Sequence, residues 1–168
     1  MIPAQLIESM PTAYFGQVLS ACPRRSRETL FTRFAIPKPK KTASALLPSK
    51  DPARIGKLQA AMASVSKDDE QGQQLAEELL RVYLMGKRDL LGAALDAIEV
   101  DHQDGLTDDD LDGFAELSAD EAAELAEELS REHDPLDVSL YLRLDGKRLR
   151  RQESKEGALD GKVPKRLF

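Results

Sequence analysis

The chain has 168 residues, 41% of them hydrophobic, 32% charged and only 5% aromatic, with one cysteine and no tryptophan. That composition excludes collagen, a disulfide scaffold and a polytopic membrane protein, and it predicts a soluble domain with an aliphatic core. The formal net charge of -6 hides an asymmetry: residues 1–41 carry seven Lys/Arg against two acids, residues 42–140 eight against twenty-four, and residues 141–168 nine against four. Two basic ends therefore flank an acidic body, a layout that bears on partners and solubility rather than on fold.

The first third, residues 1–36, reads as a basic, aromatic, helical arm. Pro3, Pro11 and Pro23 stand at helix starts, where the N–H that proline lacks has no intrahelical partner anyway. Tyr14, Phe15, Val18 and Leu19 share one helical face. Leu30, Phe31 and Phe34 share another, among Arg24, Arg25, Arg27 and Arg33. Residues 37–51 read as a linker rich in proline and lysine.

An acidic helical body is predicted over residues 52–146. Ser49 or Asp51 is placed to cap its first helix and Pro52 to start it, with Ile55, Leu58, Ala61 and Met62 on one face. Ser66, with Asp69 three residues on, opens the next. Its run Leu75, Leu79, Leu80, Val82, Tyr83, Leu84 and Met85, continued by Leu90, Leu91, Leu95 and Ile98, is apolar on most sides and predicts a buried central helix. Gly86 and Gly92 weaken that helix or let a neighbour come close. Thr107 and Ser118 each precede acids in capping-box order.

Residues 134–146 carry two signals. Leu136, Val138, Leu140, Leu142 and Leu144 alternate as a strand does. Against this, Asp134, Pro135, Asp137 and Gly146 sit where a helix cap, first turn and stop belong, and helix is the reading taken. Residues 147–168 read as a basic, flexible tail ending Lys165-Arg166-Leu167-Phe168. The predicted fold is all-α: a compact helical bundle body with a shorter N-terminal helical arm and a flexible C-terminal tail. Its expected core runs through Leu58, Met62, Leu75, Leu79, Val82, Leu84, Leu91, Leu95, Ile98, Leu111, Phe114, Leu125, Leu129, Leu136 and Leu140.

Motifs for chemistry fail in turn. Gly86-Lys87 is followed by Arg88 and lacks a glycine five residues earlier, so it is no phosphate loop. An EF-hand register with Gly105 at position six places Val100 at position one and Leu111 at twelve, neither a side-chain ligand. Glu99 and His102 form one Glu-x-x-His step, but Ser130 stands three before His133, so the second step of a di-iron site is missing. Cys22 beside Arg24 and Arg25 has no positioned base in view. No catalytic, cofactor-binding or metal residues are assigned.

What remains is a surface for partners. The expected function is a non-enzymatic protein–protein interaction adaptor or regulatory subunit of a larger complex. It docks through Phe31, Phe34, Arg24, Arg25 and Arg27 of the arm and through Lys165, Arg166, Leu167 and Phe168 of the tail. The alternative is a nucleic-acid-binding accessory protein using the same basic ends, which could neutralise phosphates. No signal peptide or membrane span is read, and a cytoplasmic setting without membrane contact is expected.

Overall fold

The computed structural model describes residues 2–37, 51–107 and 117–144. They form eight helices: α1 (Pro3–Ser9), α2 (Thr12–Ala21), α3 (Arg24–Arg33), α4 (Pro52–Ala63), α5 (Glu70–Leu84), α6 (Arg88–Ala97), α7 (Ala119–Leu129) and α8 (135–144). Among the described residues the only β-type pairing is an isolated bridge between Gln103 and Leu106. The architecture is all-α, as the composition and helical periodicity predict.

The helix ends follow local chemistry. Pro3 occupies the first turn of α1, whereas Pro11 and Pro23 stand one step earlier, as the extended N-caps of α2 and α3. Asp51 accepts the N–H of Ala53 ahead of Pro52. Asp69, rather than Ser66, caps α5 by accepting from Gly72. Ser118 and Glu121 close a complete capping box on α7. In residues 134–144 the end signals prevail over the strand-like alternation. Asp134 accepts from the N–H of Leu136, and Asp137, Val138, Leu140, Tyr141 and Leu144 are buried at helical spacing.

The predicted continuous central helix is broken in two. α5 ends at Leu84, Gly86 donates to the Tyr83 carbonyl, Lys87 donates to the Leu84 carbonyl, and α6 begins at Arg88. Val82 and Leu136 face outward, at 37% and 43% exposure, so neither belongs to the core. Leu75 and Ile98 are partly buried at its edge, and Leu111 and Phe114 lie outside the described residues. The other expected core positions are buried. Gly105, at φ +72, lets the loop after α6 fold back on it. A Cβ there would lie 2.7 Å from the Arg88 carbonyl oxygen and 2.8 Å from the Leu91 Cβ.

The first two helices of the N-terminal arm pack into the core of the same chain. α1 and α2 both pack on α4 and α5. Two buried glutamines fasten α1 at both ends. Gln73 accepts the Ala4 N–H while donating to the Val65 and Ser66 carbonyls. Gln59 donates to the Ile7 and Met10 carbonyls. A seven-residue helix leaves most of its backbone groups without intrahelical partners, and these side chains satisfy part of that deficit.

Candidate functional site

Three places gather side chains that bear on function. The first is the α2–α3 corner, where the sequence places its candidate contacts. Arg24 and Arg25 are exposed on α3. Arg27 turns inward and donates from Nη1 to the Ser20 and Cys22 carbonyls at 3.1 and 3.0 Å, closing the end of α2. Phe31 is fully buried, and the Arg54 guanidinium stacks 3.8 Å over its ring. Arg54 is itself 5% exposed and ion-pairs with Glu28 at 3.2 Å. The surface role expected of Phe31 is thereby replaced by a supporting one: it holds α3 against α4 from beneath. Phe34 is half-buried against the core. Lys165, Arg166, Leu167 and Phe168 lie outside the described residues, as do Lys38, Lys40 and Lys41.

The second place is a groove of about 310 Å³ between α3 and α5. Leu30, Leu79 and Cys22 form its buried floor, and Leu75 and the exposed Val82 continue the apolar lining along α5. Arg33 and Glu78 stand on opposite walls, with Ser26 and Thr29 along the α3 rim. At one end Arg33 Nη2 reaches Gln71 Oε1 at 3.5 Å. At the other, Cys22 lies within electrostatic reach of Glu78, so the two helices run antiparallel. Exposed Arg25 lies one turn before Thr29 on α3, and the Thr29 hydroxyl donates to the Arg25 carbonyl. Burial pushes the Cys22 thiol up, against a smaller opposite pull from Arg27. Cys22 is thus an apolar part of the floor whose thiol reacts more slowly than an exposed one.

The third place is a buried polar cluster. Asp137 on α8 accepts at one oxygen from the Tyr14 and Tyr83 hydroxyls, at 2.6 and 2.7 Å. Its other oxygen meets the Lys87 ammonium at 2.7 Å. The two tyrosine rings meet edge to face, 5.8 Å between centroids, and Lys87 lies 5.0 Å over the Tyr83 ring. Burial alone would raise the Asp137 carboxyl. The hydrogen bonds from Lys87, Tyr14 and Tyr83, with the lysine charge, outweigh it and hold the carboxyl below its ordinary range. Burial and the contact with Asp137 raise both tyrosines, and the hydrogen bond to Asp137 raises Lys87. Every donor faces an acceptor, so the cluster ties α2, α5, the start of α6 and α8 together. Its groups are hydrogen-bonded to one another, which makes it a clamp between these elements.

His102 has a local structural role. His102 accepts the Gly105 N–H at Nδ1 and meets Asp96 at Nε2, both at 3.1 Å. Its ring packs over Gly92, whose Cβ, if it had one, would lie 3.3 Å from His102 Cε1. Of the two roles read for Gly92, helix weakening or close approach, the structure shows the close approach.

Sequence reasoning passed over Arg54, Gln59 and Gln73, and read Asp137 only as a first-turn signal. Helical spacing could have found them. Gln59 shares the face of Ile55 and Met62, Gln73 that of Ala76 and Leu80, and Asp137 that of Leu140 and Tyr141. A polar residue on a buried face needs a partner. No known protein family, curated protein or solved structure matches this chain.

Proposed function

We propose that the protein is a non-enzymatic adaptor or regulatory subunit that binds a protein partner. The carrying observation is the open groove between α3 and α5, apolar along its floor, with exposed Arg33 and Glu78 on its walls. An apolar cleft with a charged rim suits protein recognition, the cleft supplying affinity and the rim orientation. The basic C-terminal residues Lys165, Arg166, Leu167 and Phe168 serve as a second contact in this proposal. The setting is cytoplasmic, in keeping with a single free cysteine. Among the described residues no helix is long and apolar enough to cross a membrane.

The test is affinity capture by full-length protein at two salt concentrations, with and without nuclease, beside a chain truncated after Arg151. A discrete protein that survives nuclease, and is held less tightly by the truncated chain, is the expected result. Exposed Arg24 and Arg25 favour one other reading, phosphate binding. Recovery of nucleic acid, with every protein lost after nuclease, would replace the adaptor by that reading.

A further inference from the structure

We infer that the groove between α3 and α5 receives an amphipathic helix of about three turns, contributed by a partner protein and acidic along the side that faces α3. This rests on the adaptor reading and names the partner segment it requires. The length follows from the walls. α3 has 10 residues, so the groove runs about 15 Å, the rise of a three-turn helix at 1.5 Å per residue. The chemistry follows from the lining. Leu30, Leu75, Leu79 and Val82 present an apolar surface into which residues at i, i+3, i+4 and i+7 of a guest helix can insert.

The charge follows from the pairing of the rim. On α3, Glu28 is engaged with Arg54 and Arg27 with backbone carbonyls, whereas exposed Arg25 has no carboxylate partner among the described residues and exposed Arg33 meets only the neutral Gln71 amide. The α3 wall therefore offers cations and no free anion. The facing wall offers Glu78, which favours a basic or neutral residue on the guest's opposite side. This chain's own segment 38–50 and its C-terminal residues are poor guests for the α3 wall. Residues 38–50 carry four lysines and no acid, and residues 145–168 carry eight Lys/Arg against four acids. An acidic guest from another protein meets the cations without that repulsion.

Two synthetic eleven-residue helical peptides decide the matter. Both carry leucine at i, i+3, i+4 and i+7; one is flanked by glutamate and the other by lysine. Binding to the full-length protein is read by fluorescence anisotropy at low and at physiological salt. The glutamate peptide is expected to bind with a Kd on the order of 100 μM or tighter, and the lysine peptide more weakly. Val82→Asp, at a position 37% exposed, is expected to keep a denaturation midpoint close to wild type and to weaken the glutamate peptide about tenfold. Arg33→Glu is expected to weaken it about twofold to fivefold and to improve the lysine peptide.

Equal binding of the two peptides would overturn the inference, as would indifference to Val82→Asp. A concentration-dependent dimer abolished by Val82→Asp would overturn it in favour of a second copy as the occupant. Native capture that persists unchanged in Val82→Asp would leave the adaptor reading standing and remove this groove from it.

Discussion

Asp137→Ala is expected to lower the unfolding free energy by about 3–5 kcal/mol, among the largest effects of any single substitution here. The carboxylate is 4% exposed and satisfies three donors on three other segments of the chain. Removing it strands the Tyr14 and Tyr83 hydroxyls in the interior, each at a cost of about 1–3 kcal/mol. Lys87 contributes less, because its side chain is 38% exposed and can turn to water. Tyr14→Phe and Tyr83→Phe should each cost only about 1 kcal/mol, since Asp137 keeps its other partners. Their double mutant should depart from additivity, because the two hydroxyls share one oxygen. Urea denaturation of the four variants checks this, and a loss below about 1 kcal/mol for Asp137→Ala would contradict the clamp.

The clamp also sets a pH dependence. The Asp137 carboxyl titrates lower folded than unfolded. Its contribution is complete above the unfolded value near pH 4 and is lost as pH falls through the lower folded value. Lys87, Tyr14 and Tyr83 titrate higher when folded. Their contribution is complete below their unfolded values, about 10, and is lost as pH rises through the folded ones. Asp137→Asn should therefore flatten the acid limb of stability against pH.

Phe31→Ala is expected to cost about 3–5 kcal/mol. The ring is fully enclosed and also carries the Arg54 guanidinium on its face, so truncation opens a cavity and removes a cation–π contact together. Phe31→Leu keeps most of the volume and should cost about 1.5 kcal/mol. The pair separates a supporting role from direct partner contact. A ring that touched a partner would lose binding and keep stability, whereas this ring loses stability first. Equal denaturation midpoints for wild type and Phe31→Ala would contradict the placement.

Much of the fold was legible because the helices carry their own punctuation. Asp51-Pro52, the Ser118–Glu121 box and Asp134-Pro135 are each local instructions, and each sits at an observed helix start. The break between α5 and α6 was less legible, because the leucine run continues through it. Only Gly86 and the change of exposed face at Val82 and Met85 mark it. The integration of α1 and α2 was not legible. It depends on Gln59 and Gln73 reaching across 52 and 69 residues of chain, contacts that no local window contains. The groove was half legible: the basic, aromatic stretch containing α3 pointed to the right segment, but burial reversed the roles within it. Phe31 and Arg27 went inward, while Arg33, Leu75, Leu79 and Val82, read as basic surroundings and as core, came to line the cleft.

The most direct test of the docking surface uses Cys22, the single cysteine of the chain, on the groove floor. Its alkylation rate is measured at fixed pH in the free protein and in the nuclease-resistant complex with the captured partner. A guest helix seated between α3 and α5 covers the thiol, and alkylation slows in the complex. An unchanged rate in a saturated complex would place the partner elsewhere and contradict the account.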